Sequence, residues 1–566
     1  DALPIFQSSD CMDMTAEEIS NLIADTIKAA ATLKRCGFDC VEVNAAGENV
    51  GQTFMSRNRN KREDDYGPQT FESRTRFVCE IVRGIKAECG EDFPVQVLIN
   101  GVEENDKAIG DNAFFTTVEE NKEMCKLIEA AGADSLHIRI GPCGQHVAEF
   151  AGDLYFCGTG IEGTTGYGTQ FDFTRHWQGM LKADQSGLGI IVPVAAEIKK
   201  AVSIPVGAVT YMDPARDPEF FESLIASGEL DFILMNRPLS VDYDYLHKLE
   251  EGRIDEIRPC TRCMHCHWDA ADDGNLTFSC RTNAAHPFRF VTGQLTGSYD
   301  PEPAATAKNV VVVGAGPAGL EAARVAAERG HSVTLYEKKS SVGGLLEFAN
   351  NVKGPHENLS VLRSYFERQM EVLGVNVMLN TEATADIIAE ASPDIVIAAT
   401  GGVRDTLGLS DTAGTKVVGI DDFMMANIAE EVVIVGSNVQ AIDAAMYLLA
   451  QGKHVQVVTP NAASAIGAGH SFWVKTFTQP NMKALGVRFW PEATVTAVND
   501  GSVTVKTATG IEQEIACGTV VEALDCLPND NLSTGLSCEV VTVGDAARPF
   551  NIGEAICSGN AAARAI

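Results

Sequence analysis

The sequence predicts an α/β protein built on parallel sheets, and three observations carry that reading. Short apolar strands alternate with amphipathic helices through residues 1–250. Two later stretches, 309–337 and 430–460, each read as strand, glycine turn, helix and strand. Between these regions "RPCTRCMHCHWD" (258–269) gathers three cysteines and two histidines into twelve positions, a density that points to metal binding.

In the first region Thr15 and Glu18 form a capping box ahead of a 3.6-period run, Ile19, Leu22, Ile23 and Ile27, which predicts the first helix. "VEV" (41–43) reads as a buried strand. A helix is expected over 71–89, then a strand at "PVQVLI" (94–99), a helix near 118–131 and a strand at "SLHIR" (135–139). A helix near 190–201, the strand "IPVGAV" (204–209), a helix near 216–227 and the strand "DFILM" (231–235) follow. Five strands joined by helical crossovers make a parallel sheet. Its chemistry belongs at the C-terminal ends of the strands.

Composition narrows the function. A chain that is 45% hydrophobic and 21% charged can build cores in several domains. A net charge of −33 argues against nucleic acid and anionic membrane as partners, since both need a basic surface. There is no apolar run of about eighteen residues and no basic-then-apolar leader. Twelve of the sixteen cysteines are scattered and are expected as buried thiols in a reducing, cytoplasmic setting. The chain opens on Asp1 rather than Met, as a processed or partial product would.

Residues 291–308, "VTGQLTGSYDPEPAATAK", read as a linker, so 251–300 form a cysteine segment with its connection. Beyond it Gly314, Gly316 and Gly319 spell G-x-G-x-x-G between a strand and a helix, and Glu337 closes the next strand. The glycines let backbone approach a pyrophosphate, the helix N-terminus stabilises its charge, and the acid can bond a ribose. "SVGGLL" (341–346, with Gly344), "AATGG" (398–402, with Thr400) and "VTVGDAA" (541–547, with Gly544 and Asp545) add to the set. A dinucleotide domain thus begins in 301–425 and returns in 516–566. A second nucleotide domain, 426–515, is inserted between the two parts. Its motif keeps Gly436, but Asn438 and Ala441 replace the other two glycines and Thr459 stands where an acid would select NADH. Asn tolerates a left-handed backbone better than most residues, and Ala still permits close helix packing. Nicotinamide binding and a vestigial domain kept for its packing are both open on these residues.

Cys260, Cys263 and Cys266 are spaced C-x2-C-x2-C, and Cys280 follows after thirteen residues. Zinc usually takes two C-x-x-C knuckles. Three close thiolates and one remote one suit a cubane iron–sulfur cluster better, with zinc the alternative.

The dinucleotide motifs resemble those of the two-dinucleotide-binding flavoprotein disulfide reductase superfamily. That resemblance implies FAD on the first motif, with Gly544 and Asp545 at its ribityl and phosphate region, and NAD(P)H on the second. Nearly the whole chain also resembles the iron–sulfur branch of the old yellow enzyme family, which includes 2,4-dienoyl-CoA reductase, 2-enoate reductase and trimethylamine dehydrogenase. Residues 38–68 carry this likeness, above all Ser56, Asn60, Arg62, Asp64, Tyr66 and Gly67. So do "LMNRPL" (234–239), "DEIRPCTRC" (255–263), and Cys280 with Asn283. It implies that the five strands are strands four to eight of a TIM-type β/α barrel holding FMN, with Asn236 and Arg237 in the phosphate loop. It implies a [4Fe–4S] cluster on Cys260, Cys263, Cys266 and Cys280, and His146 as a proton donor beyond "SLHIR".

The departures are specific. The family's usual C-x2-C-x3-C would place the third ligand at His267; Cys266 is expected because thiolate is the commoner cluster ligand, with His267 the open alternative. Asn44, Gly47 and Asn49 replace familiar fourth-strand residues, Leu98 replaces an arginine near the flavin, and Tyr211 replaces a phosphate-binding arginine. Strands one to three are absent, which leaves open edges. A fragment, a homo-oligomer or a partner chain completing the barrel is therefore expected. The implied reaction passes electrons from NAD(P)H to FAD, the cluster and FMN, and reduces the C=C bond of an α,β-unsaturated carbonyl compound (enoyl-CoA, enoate or enone). A histidine suits the protonation step. The alternatives are an electron-transfer subunit with a non-catalytic barrel, and amine oxidation of the trimethylamine type, which needs an aromatic cage for a cation.

Overall fold

The fold is that of a computed structural model. Its described residues run from 10 to 566, leaving aside 48, 104–115, 142–187, 267–268, 271–275, 278, 288, 290–292, 294, 354–356, 472–473, 476–478, 480–481, 484, 530 and 534–535. They fall into two compact units, divided between Asn236 and Arg237. His146 and His267 lie outside the described residues.

In the first unit the capping box is closed. Thr15 Oγ1 accepts from the Glu18 N–H, the Glu18 carboxylate accepts from the Thr15 N–H at 2.8 Å, and the helix Ala16–Arg35 follows. Five strands form one sheet: β1 (Val41–Ala45), β2 (Val95–Glu103), β3 (Ser135–Gly141), β4 (Val206–Ala208) and β5 (Phe232–Ile233). All are parallel and pair in chain order, β1-β2-β3-β4-β5. The helix Phe71–Cys89 has the expected bounds, capped by Thr70 and ended by Gly90.

One expectation is corrected at β1. Val41 and Val43 are buried, but Glu42 between them is exposed. Helices cover the valine face. On the other face Glu42 pairs with His137 Nδ1 at 2.8 Å and accepts a hydrogen bond from Gln96. Parallel sheets are ordinarily buried on both sides; here the second face is polar at Glu42 and His137. A second correction concerns thiols: Cys36 and Cys40 are exposed, because they sit in the turn between the first helix and β1. The loop after β1 is held by its own residues. Asn60 Nδ2 donates to the carbonyls of Phe54 (2.8 Å) and Tyr66 (2.7 Å), and Arg62 Nη1 donates to the Cys11 carbonyl (2.7 Å).

The second unit holds two further parallel sheets. Its strands are β6 (Asn309–Val313), β7 (Ser332–Tyr336), β8 (Asn376–Met378), β9 (Ile395–Ala398), β10 (Lys416–Gly419), β11 (Glu431–Val435), β12 (His454–Val458), β13 (Arg488–Trp490), β14 (Thr519–Glu522) and β15 (Glu539–Thr542). One sheet runs β8-β7-β6-β9-β15, so the return segment supplies an edge strand to the first dinucleotide domain. The other runs β10-β14-β11-β12-β13. A small antiparallel sheet (Ala493–Asn499, Ser502–Thr507, Glu512–Ala516) stands beside it. The first core packs Val310, Val312, Leu335 and Ile397 against Leu320, Val325 and Ile556 of the helices Pro317–Glu328 and Ile552–Ala565.

Inside that core Glu321 is fully buried. It accepts from Arg324 Nη2 (2.9 Å), Asn560 Nδ2 (2.8 Å) and Arg258 Nη1 (3.3 Å). Arg258 also lies 5.0 Å from the Tyr365 ring centre and donates to the Thr282 carbonyl. The residue just before Cys260 and its proline thus clamps the cysteine segment onto the first dinucleotide helix. Burial alone would raise the Glu321 carboxyl, but Arg258 and Arg324 outweigh it and hold it at about 2, below the ordinary 4.5. Its stabilising contribution is therefore fully present above about 4.5 and is lost as pH falls toward 2. The expected result is a urea midpoint that drops with pH through this window, with a shallower acid slope in Glu321→Gln. An unchanged slope in that variant would contradict the assignment.

Candidate dinucleotide and iron–sulfur site

The first motif is built where β6 meets its helix. Gly314 has φ +99°, and a Cβ there would collide with the Ala399 carbonyl oxygen; a Cβ on Gly319 would meet the Gly314 carbonyl oxygen. Gly316 caps the helix, with Pro317 in its first position, and this N-terminus opens onto a cavity of about 570 Å³. Glu337 accepts from the backbone N–H groups of Ala315 and Lys339, both at 2.8 Å, which ties the glycine turn to the end of β7. Gly344 lies against the Gly316 Cα. Thr400 Oγ1 donates to the Asn529 carbonyl at 3.4 Å. The Gly544 N–H donates to Ser558 Oγ at 2.8 Å. Burial lifts the Asp545 carboxyl above its ordinary range, where it accepts from the Phe550 N–H.

Gly314, Gly316, Glu337, Gly344, Thr400 and Asp545 all line the cavity. Exposed backbone at a helix N-terminus suits a pyrophosphate, the carboxylates suit ribose and ribityl hydroxyls, and the volume is that of a ligand site. These residues fit FAD.

The second motif differs from expectation at Asn438. Gly436 is left-handed in type (φ +139°) because a Cβ would strike the Ala523 carbonyl. Asn438 has φ −69° and needs no such tolerance. It is the helix N-cap instead, accepting from the Ala441 N–H at 2.9 Å and donating to Asp525 at 3.0 Å. Thr459 is buried and donates to Ser437 Oγ at 3.0 Å, so its hydroxyl is spent within the fold. Val439 and Gln440 of this domain line the same cavity.

The cysteine segment reaches that cavity through Cys263. Cys260 and Cys280 are buried together against Val241, and Cys263 and Cys266 are half-buried. Arg262 (φ +52°) and Met264 (φ +62°) coil the loop tightly, in the manner of backbone concavities that hold anionic groups. The Asn283 N–H donates to Cys280 Sγ at 3.3 Å, and Asn358 Nδ2 donates to the Cys260 carbonyl at 2.9 Å. The four thiols lie close enough for their charges to act on one another. Burial pushes the Cys260 thiol up to about 12 and raises Cys266 as well, against the pull of Arg237. Such thiols become thiolates only when a cationic centre binds them, and these residues fit a [4Fe–4S] cluster. Arg237, expected at an FMN phosphate, directs Nη1 to Met264 Sδ at 3.2 Å.

Sequence reading missed the charges packed around this site. Arg258 and Arg281 immediately flank the cysteine positions, and that adjacency was the available signal. Arg281, Glu357, Lys353, Asp443 and His470 form a connected buried set that no local motif announces.

A thiol set and two nucleotide sheets share one cavity in the second unit, and the first unit carries a parallel α/β sheet of flavin-enzyme type; together they define a flavin-dependent pyridine-nucleotide oxidoreductase. Residues 4–140 match the model of the NADH:flavin oxidoreductase / NADH oxidase family, and residues 308–545 match that of the pyridine nucleotide-disulphide oxidoreductases. A solved structure of 2-naphthoyl-CoA reductase with 2-naphthoyl-CoA superposes with a TM-score of 0.80 at 30% identity, over 98% of this chain and 77% of that one. The NADH oxidase of Thermoanaerobacter brockii is 34% identical over 80% of this chain and 63% of its own length. The cinnamate reductase of Clostridium sporogenes is 31% identical over 79% and 62%. The chain thus spans less than two thirds of these two relatives. It belongs to the NADH:flavin oxidoreductase / NADH oxidase family, in the branch that carries a pyridine-nucleotide module. The matched parts assign FMN to the barrel and FAD and NAD(P)H to the nucleotide module, with a [4Fe–4S] cluster in the family's iron–sulfur members. No helix among the described residues is long and apolar enough to cross a membrane.

Proposed function

We propose that this chain is an NAD(P)H-dependent flavin and iron–sulfur oxidoreductase that reduces the C=C bond of an α,β-unsaturated carbonyl compound. The path runs from NAD(P)H to FAD, a [4Fe–4S] cluster, FMN and substrate. One observation carries the reading: Cys263 lines the same cavity as the FAD motif, so a cluster on Cys260, Cys263, Cys266 and Cys280 stands where electrons leave that cavity. The bound groups supply hydride acceptance and one-electron transfer. The protein's own residues do the holding. The helix behind Gly316 faces the pyrophosphate, Glu337 the ribose, and Arg258 fixes the cysteine loop against the helix through Glu321. His146 is the proposed proton donor to the substrate. Relatives named for reducing cinnamate and 2-naphthoyl-CoA support a conjugated acid or thioester as the substrate class.

A second reading, electron transfer with a silent barrel, is favoured by Leu98, which is buried and aliphatic where the resemblance expects a flavin-facing arginine. Release of flavins from protein purified without oxygen separates the two. FMN and FAD in near-equal amounts are expected; FAD alone would establish the second reading.

A further inference from the structure

Five side chains form an ionic ladder through the second unit. Arg281 Nη2 lies 2.8 Å from Glu357 Oε2. Lys353 Nζ lies 3.2 Å from Glu357 Oε1 and 2.9 Å from Asp443 Oδ1. His470 Nε2 lies 3.1 Å from the same Asp443 oxygen. None of the five side chains is more than 11% exposed.

They come from three places. Arg281 follows Cys280. Lys353 ends the helix Leu346–Lys353, with Glu357 just beyond it. Asp443 is on the helix Val439–Ala450 of the inserted domain, and His470 follows β12. All five line the cavity of the first dinucleotide motif. Burial alone would raise the Glu357 carboxyl, but Lys353 and Arg281 hold it at about 2, and Lys353, with a hydrogen bond to His470, holds Asp443 down likewise. Both acids are therefore charged, and Arg281, Glu357, Lys353 and Asp443 alternate in sign to a net of zero. Buried ion pairs give little stability over an apolar replacement, so their place around a cavity for a redox group calls for another role. A unit charge in such surroundings is screened far less than in water.

We propose that Lys353 tunes the electrostatic potential of this cavity: held between Asp443 and Glu357, its ammonium balances the buried charges on this part of the wall and so shifts how readily a flavin bound there takes up negative charge. The proposal rests on the reading of the cavity as the FAD site. Lys353 acts through the two carboxylates and is a positioning residue for charge, not a group that reacts.

The test is the reduction potential of FAD in the purified holoprotein. Lys353→Met leaves two acids against one arginine. It is expected to lower the one-electron equilibrium constant about tenfold, roughly 59 mV. Glu357→Gln leaves one net positive charge and is expected to move the potential by a like amount in the opposite direction. Lys353→Met combined with Asp443→Asn restores neutrality and is expected to restore the potential, and Lys353→Arg to leave it in place. A purely structural role would give neither the opposite signs nor the rescue. The proposal is overturned if Glu357→Gln, or Lys353→Met with FAD bound, leaves the potential unmoved, or if the double variant stays displaced. Absence of FAD from the wild-type protein, read separately from its released flavins, would overturn the cofactor reading and this inference with it.

Discussion

Cys260→Ala is expected to abolish NAD(P)H-driven alkene reduction while reduction of a soluble dye by NAD(P)H persists. Cys260 is only 6% exposed and packs against Cys280 and Val241, so its sulfur is held inside the protein beside a second thiol of the set. Loss of one of four thiolates removes the cluster's hold, and iron content should fall with activity. The glycine turn, Glu337 and Asp545 are untouched by the change, so FAD content should stay at the wild-type level. Iron, FAD, dye reduction and alkene reduction measured on one anaerobic preparation check each part. Alkene reduction at the wild-type rate would end the relay reading.

Gly314→Ala and Gly316→Ala are expected to separate two uses of glycine in the same turn. Gly314 holds φ +99° with the Ala399 carbonyl behind it. A side chain there pays about 1–3 kcal/mol in backbone strain and must push β9 from β6. Both thermal stability and FAD binding should fall, the latter by roughly 100-fold for about 3 kcal/mol. Gly316 has φ −77° and open space where a Cβ would stand. Its alanine variant should keep the stability of the flavin-free protein and lose FAD affinity alone, because the added methyl stands in the space a pyrophosphate would use. Equal FAD affinity in Gly316→Ala and wild type would show that no phosphate approaches there.

Much of this was legible in the sequence, for local reasons. The helix Phe71–Cys89 was bounded by the residues that bound it physically, a capping Thr70 and a terminal Gly90. The glycine motif, Glu337 and the returning Gly544–Asp545 pair were legible because their residue types stand in a recognisable order along the chain, although their partners Ala399, Ala315 and Ser558 lie further off. The exposure of Glu42 was not, since it depends on what covers the second face of the sheet. Nor was the ladder, whose Arg281 and Asp443 lie far apart along the chain and are linked through Glu357 and Lys353 only after two sheets have formed. Asn438 shows a smaller version of this. Its residue type fits both a left-handed turn and a helix cap, and only the backbone angle chooses between them.

The strand order of the first dinucleotide sheet also fixes a sequence of events during translation. The inserted sheet uses strands from Lys416–Gly419 to Thr519–Glu522 only, so it can complete itself once residue 522 has left the ribosome. The earlier sheet must wait, with β9 as an open edge, until Glu539–Thr542 emerges to pair with Ile395–Ala398. An unpaired edge of that kind invites aggregation, and the delay is set by an elongation rate of roughly 5–20 residues per second. The cavity of the first dinucleotide motif therefore cannot be complete until Asp545 has emerged, after every strand of the inserted sheet.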